Sequence, residues 1–275
     1  MATGDLSRVR TNIQALNALN ALKSINSKLN IHNLRLATGK RINTAGDDPA
    51  GLTLATRLDA RARGLAQALN NIGDAENVLA TAEGGFNNMN DLLVQMKELV
   101  TKAANDTLGA SERTAVFNQL GQLGEEIDDL VRETTFNSQQ LLANVTFTFQ
   151  TGSEGTDITR FNVTGTFTSL ALSVNSLTVA TQLLASFSLG SVNAALNSVG
   201  SVLQNVGAKM GRLTVKQNNV TVGVTNVRAA ASRIMDADMA LEQLEASKLL
   251  ILQQTATAML AQANSAPTSI LSLFQ

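Results

Sequence analysis

The sequence predicts a mainly α fold: long antiparallel helical rods forming a coiled-coil-like bundle, with a small β-hairpin region and paired N- and C-terminal helical arms. The first observation behind this is a seven-residue apolar repeat from Leu58 to Ala103. Leu58, Leu65, Ile72, Leu79, Phe86, Leu93 and Val100 fall seven apart, and Ala68, Ala75, Ala82, Met89, Met96 and Ala103 follow them at a spacing of three, with Arg61 the exception. The second is the same repeat in Leu189, Leu196, Leu203, Met210, Val224 and Ala231, interleaved with Val192, Val199, Val206, Leu213, Val220, Val227 and Ile234; only Gln217 interrupts it. A helix under-wound to 3.5 residues per turn keeps such positions on one seam. Each stretch covers 46 residues, roughly 69 Å of helix at about 1.5 Å per residue, so two rods of equal length are expected side by side. The third observation is the choice of apolar residue. The chain has nine Phe and neither Trp nor Tyr, so Leu, Ala, Val and Met must fill the interior, which suits helix-on-helix packing better than a wide globular centre.

Composition excludes several function classes. At 275 residues and 44% apolar content the chain can bury a core. It has no Cys, which removes disulfides, thiolate metal sites and a thiol nucleophile. Met1 to Arg10 holds no apolar run, so no secretory signal peptide is expected there. The uncharged span from Phe161 to Ala208 is broken by Asn, Ser, Thr and Gln, which argues against a membrane helix. Charge is balanced overall but not along the chain. Residues 1–41 carry a net of +6, and residues from Asp236 onward a net of −3. A basic first arm beside an acidic last arm would attract. The basic arm has no aromatic side chain to stack on a base, so nucleic acid is not an expected partner.

Along the first arm, Val9, Ile13, Leu16, Leu19, Leu22, Ile25, Leu29 and Leu36 recur mostly at spacings of three and four, the pattern of an amphipathic helix. Its polar face is rich in Asn (Asn12, Asn17, Asn20, Asn26, Asn30, Asn33), a poor helix former, so this arm should order only when packed. His32, the single His, has no second imidazole or thiol nearby and reads as a packed polar residue, not a metal ligand. Gly39 and Gly46 allow a change of direction, after which Asp48 reads as a helix N-cap with Pro49 at the first helical position. Paired Asp47 and Asp48 could suggest a metal or acid/base pair, but acids just before a helix more often cap it and complement its dipole.

The run RLATGKRINTAGDDPAGLTLATRL, Arg35 to Leu58, resembles the signature of bacterial flagellins, and VRTNIQALNALNAL before it resembles their N-terminal start. The segment from Ser232 to Gln275, with ILQQ, MLAQAN, Pro267 and the final LSLF, is similar to their C-terminus. The resemblance covers about residues 5–142 and 190–275. It implies residues 1–44 and 235–275 as a terminal-arm domain forming the inner tube of a filament, and residues 45–234 as a rod domain of three long helices.

Beyond the first rod, Asn105 to Gly109 reads as a turn and Ser111 as a cap for a second helix carrying Val116, Leu120, Leu123, Ile127 and Leu130. FNSQQLL (Phe136 to Leu142) resembles the family's exit from that helix. Then the period changes to two. Val145, Phe147 and Phe149 alternate with polar residues, as do Phe161, Val163 and Phe167, and TGSEGTD (Thr151 to Asp157) lies between, which predicts a β-hairpin. Flagellins usually insert outer domains in this region. Here only the span of about 143–189 is available, too short for one of usual size, so a minimal flagellin is expected. Ser and Thr make up 17 of the 46 residues from Thr146 to Ser191; exposed strand chemistry explains this, and O-linked glycosylation is the sharper alternative. The sequons at Asn105, Asn144, Asn162 and Asn219 are expected to stay unmodified.

In the last arm, Leu249, Leu252, Ala256, Met259 and Ala263 form a stripe that Leu250, Ile251 and Leu260 widen. A helix apolar on more than one side must be buried on more than one side, and one chain offers only the first arm as cover. Neighbouring copies are needed, and a contact that does not close on itself gives an open helical polymer. The residues expected to carry assembly are Ile13, Leu16 and Leu29 of the first arm, Arg41, Asn43, Asp47 and Asp48 of the signature, and Leu249, Leu252, Met259 and Leu271 of the last.

The resemblance implies a structural subunit of the hollow flagellar filament. It also implies secretion through the flagellar type III export apparatus, with an export chaperone and a filament cap as partners. It further implies an innate immune receptor contact at Gln95, Leu99 and Gln119, weakened because Gln95 stands where the family has Arg and Gln119 where it has Glu. A hook-filament junction (hook-associated) protein, which shares similar termini, is the alternative. No enzyme and no cofactor are expected: the chain lacks H-E-x-x-H, G-x-S-x-G and Walker patterns, and His32 shows no evident acidic partner in the sequence.

Overall fold

The computed structural model describes residues 11–163 and 165–271, with side chains to residue 265. Five helices follow in order: α1 (Ile13–Thr38), α2 (Pro49–Ala103), α3 (Ala110–Glu133), α4 (Gln182–Met235) and α5 (Met239–Leu271). Two small antiparallel sheets stand between α3 and α4: β1 (Thr135–Phe136) with β2 (Gln139–Gln140), and β3 (Val145–Gln150) with β4 (Ile158–Val163). The chain forms two compact units, one from residues 1–60 and 226–275 and the other from residues 61–225.

In the second unit the two heptad stretches form one continuous core. Ala68, Ile72, Ala75, Leu79, Phe86, Met89, Leu93, Met96 and Val100 of α2 are all buried, as are Val192, Val199, Val206, Leu213 and Val220 of α4. The rods match in length, at 55 and 54 residues. Their antiparallel course follows from the path between them. Arg113 at the start of α3 reaches back to the carbonyls of Ala103 and Asn105, the latter at 2.8 Å, while Gly85 of α2 lies against Thr134 at the end of α3. The β3–β4 hairpin then runs on past α2. The Asn71 side chain donates to the Gln150 carbonyl at 3.0 Å, and Ser153 at the hairpin tip sits on Gly64. The chain returns past Phe86, whose ring meets Phe167 edge-on at 5.1 Å. It passes Asp128, which accepts from the Ser169 amide and hydroxyl at 2.7 and 2.8 Å. Thr178 to Ala180 reach the first turns of α3, where they share a pocket with Arg113 and Phe117. From there α4 runs the other way, and Leu65 of α2 faces Gly223 near its far end.

The structure departs from the sequence expectations in several places. Helix α1 starts at Ile13, capped by Asn12, whose side chain accepts from the Ala15 amide at 3.0 Å; Val9 lies outside the described residues. Ser111 is not the cap of α3. That position falls to Gly109, which offers no side chain, and the Glu112 carboxylate sits over the helix start with the Ser111 hydroxyl donating to it. Hydrogen bonds from its own amide and then from Ser111 hold that carboxyl below its ordinary pKa. The exit from α3 is a tight hairpin turn. Asn137 and Ser138 both take positive φ, 46° and 65°, which the right-handed twist of a two-residue hairpin loop favours. The β3–β4 register and the Thr151–Asp157 loop agree with the alternating pattern, but β4 ends at Val163. Phe167 lies beyond it, because the chain turns at Gly165 with φ +110°. Residues 166–181 form a strap without regular structure that buries Phe167, Leu172, Val174, Leu177 and Val179. The second rod helix begins at Gln182, seven residues before its heptad pattern.

Candidate assembly interface

In the first unit α1 and α5 pair antiparallel along their lengths. Asn12 Nδ2 donates to the Ala263 carbonyl at 2.6 Å, Gln253 Nε2 to Asn26 Oδ1 at 2.7 Å, and His32 Nδ1 lies 2.5 Å from Glu242 Oε2. These contacts keep a nearly constant sum of residue numbers, as antiparallel helices must. Leu29, Ala246 and Leu249 form a small core, with Ile25 and Leu36 packed against it. The Asn-rich face that is unfavourable for a lone helix thus gains partners: Asn12 and Asn26 hydrogen-bond to α5.

His32 is packed and polar as expected, but the absence of an evident acidic partner is corrected. Glu242, 210 residues away, is buried to 7% exposure and receives both His32 and the Arg35 guanidinium, the latter at 3.3 Å. His32 and Arg35 are three apart on one helix face, which is the only signal the sequence held; the partner could not be read locally. The charge asymmetry of the arms is expressed mainly here. Elsewhere Glu245 pairs with Lys248 one turn on in α5, and Asp236 and Asp238 serve helix ends. Asp238 Oδ1 accepts from the amides of Ala240 and Leu241 at the start of α5, and Asp236 accepts from the Ser232 hydroxyl.

Of the residues expected to carry assembly, the structure separates two groups. Arg41, Asn43, Asp47 and Asp48 make intramolecular bonds in the elbow between α1 and α2. Arg41 donates from its backbone amide to the Met235 carbonyl at 2.7 Å and from its guanidinium to Ile234 at 2.8 Å. Asp47 Oδ2 accepts from the amides of Asn43 and Thr44 at 3.0 and 2.8 Å and from the Thr44 hydroxyl. Those backbone bonds, Thr44 first and Asn43 second, hold the Asp47 carboxyl below its ordinary value of 3.8. Asp48 caps α2 by accepting from the Gly51 amide at 2.9 Å. Among the described residues no cluster of three acids, imidazoles or thiols could hold a metal ion.

The second group is apolar. Leu29 and Leu249 are buried between the arms, but Ile13 (54%), Leu16 (50%), Leu252 (42%) and Met259 (63%) stay exposed. Leu271 ends α5, and its side chain lies outside the described residues. Sequence reasoning did not single out Ile31, Leu34, Leu241 and Leu244, which are exposed on the same two helices. Between the arms runs a groove floored by Ala18, Ala21, Ala256 and Ala263. No helix among the described residues is long and apolar enough to cross a membrane. Gln95 and Gln119 are exposed on α2 and α3, and Leu99 is half-buried.

Residues 9–146 match the family model of the bacterial flagellin N-terminal helical region, and residues 189–274 match that of the C-terminal helical region. The chain is similar to a flagellin of Halalkalibacterium halodurans, 34% identical with 94% of this chain and 98% of that protein covered. It is similar also to a flagellin of Bacillus subtilis, 33% identical with 98% and 100% covered. A solved structure assigned to a flagellar hook-associated protein of Vibrio parahaemolyticus has a TM-score of 0.57, with 69% of this chain and all of that one covered. At 13% identity that likeness concerns the fold.

The buried carboxylate makes Glu242 the polar anchor of the arm pair. Glu242→Ala should weaken α1–α5 pairing by about 1–3 kcal/mol, seen as faster amide hydrogen exchange around residues 29–36. Unchanged exchange would show that apolar contacts alone hold the arms. At the elbow, a depressed carboxyl stabilises the fold fully above the ordinary 3.8 and loses that contribution as pH falls through the lowered value. An NMR titration of the Asn43 and Thr44 amides should therefore show a midpoint below 3.8; a midpoint at or above it would mean that the amides do not hold Asp47.

Proposed function

The chain belongs to the bacterial flagellin family and is a structural subunit of the flagellar filament, and we propose that its paired arms are the surface on which it polymerises. One observation carries this reading. The arms cover Leu29 and Leu249 between them yet leave Ile13, Leu16, Leu252 and Met259 open to water. Fully burying an aliphatic side chain of this size contributes about 1.5–3 kcal/mol, so several per arm can offset the cost of ordering a subunit. Neighbouring copies supply the cover, and a heterologous, non-closing contact extends into a helical tube.

In this reading residues 1–44 and 235–275 form the inner tube, and residues 45–234, with the hairpin region near 143–189, form the stiff body around it. Arg41, Asn43, Asp47 and Asp48 hold the elbow, and Leu271 at the end of α5 is counted with the assembly residues. The subunit leaves the cell through the flagellar export apparatus, accompanied by an export chaperone, and adds beneath a filament cap, so the filament is extracellular. A hook-filament junction role draws support only from a shared fold, whereas the flagellin relatives span nearly the whole chain.

Removing residues 1–40 should leave a helical, folded rod by circular dichroism that forms no filaments with seeds or kosmotropic salt. Filaments of normal appearance from that variant would overturn the proposal. Recognition by an innate immune receptor is a separate expectation. With neutral Gln95 and Gln119 in place of charged family residues, two charge-assisted contacts worth about 1.5–3 kcal/mol each are missing. Receptor-bearing cells should respond weakly, and Gln95→Arg with Gln119→Glu should raise the response. Strong signalling by the unaltered chain at low concentration would count against it.

A further inference from the structure

We infer that a basic groove on the rod unit, between β4 and the outer face of α4, receives the acidic outer face of α3 from a second copy of the chain. The inference rests on the filament-subunit reading and names one contact within it. Over its 54 residues α4 contains no Asp or Glu. Its cations Lys209, Arg212 and Lys216 are spaced three and four apart, which places them on one face. The groove is walled by Ile158 and Thr159 of β4 and by Ala208, Arg212, Val215 and Lys216 of α4, and Arg160 of β4 is exposed beside it. Among the described residues no carboxylate pairs with Arg160, Lys209, Arg212 or Lys216. Val215 is 60% exposed and Val222, seven residues on, 59%. The surface is therefore a strip of uncompensated positive charge with an open apolar edge.

The outer face of α3 has the complementary make-up. Glu125, Glu126 and Glu133 are exposed, and no cation pairs with them among the described residues. Unpaired cations on one surface are thus matched by unpaired carboxylates on the other. They are different surfaces of one unit, so their contact is heterologous, and it extends a filament where the rotation between copies does not close. Opposed potentials of this kind fix register and speed encounter.

The test uses the full chain in seeded growth at low ionic strength, followed by electron microscopy. One variant carries Arg212→Glu and Lys216→Glu, a second Glu125→Lys and Glu126→Lys, and a third all four changes. Circular dichroism confirms that each remains helical. Each pair alone should raise the protein concentration needed for growth at least tenfold. The fourfold variant, and an equimolar mixture of the two pairs, should grow near the unaltered level, because opposite charges again face each other. Growth of both paired variants at the unaltered level overturns the contact while leaving the arm-driven assembly intact. Loss of growth without rescue in the fourfold variant overturns it as well. If the unaltered chain binds heparin, the Arg212/Lys216 variant does not, and growth is unchanged, the groove belongs to a polyanion and the inference fails. Failure of the unaltered chain to polymerise at all would remove the filament-subunit premise together with the contact.

Discussion

The rod unit depends on one constraint: the parts of α2 and α4 that lie within it must keep a single seam in register. Small residues make this possible. Ala68 and Ala75 alternate along the α2 seam with Ile72 and Leu79, and Leu65 lies against Gly223 of α4. A seam of this kind is narrow, because each layer is only as wide as the side chains of two facing turns. The rest of the unit is arranged around that narrowness. α3 adds a third helix through Val116, Leu120 and Ile127, while the hairpin and the strap lie against the bundle as thin layers with Phe147, Phe149 and Phe167 turned inward. With Phe161 and the strap's Leu172, Val174, Leu177 and Val179, these rings add bulk beyond the bundle's own.

Polar side chains do their work where helices stop. Asn12, Asp48 and Asp238 each turn an oxygen to backbone amides that the first turn of a helix cannot satisfy, and Arg113 answers the opposite need at the end of α2 by donating to carbonyls. Glu242 is different in kind. It spends its carboxylate on side chains of another helix, inside the arm pair, and so fixes which turn of α1 meets which turn of α5. Leu29 and Leu249 could slide by a turn and still find apolar cover; a buried carboxylate that must meet both His32 and Arg35 cannot.

What could be read from the sequence was what is local or periodic. The seam, the Asp48–Pro49 start of α2, the Asn105–Gly109 turn and the β3–β4 loop all announce themselves within a few residues or by a fixed period. The strap did not, because Leu172, Val174, Leu177 and Val179 are buried by what they lie against and follow no helical or strand repeat. The β1–β2 turn was hidden because Asn137 and Ser138 take left-handed conformations more commonly given to Gly. Ser111 looked like a cap on residue type alone, whereas the Glu112 carboxylate next to it already occupied the helix start. The His32–Glu242 pair joins residues at opposite ends of the chain, and only the antiparallel pairing of the arms brings them together.

The elbow also has a mechanical meaning. The Arg41 amide donates to Met235 and the Ala237 amide to Gly39, with Arg41 gripping Ile234 as well, so the two segments leaving the arms are tied crosswise where they turn. A pull on α1 is not borne by the start of α2 alone. It passes across these bonds into the end of α4, and the two backbones carry tension as parallel strands of a cable. In a filament, load on the arms would enter each rod along both of its long helices at once.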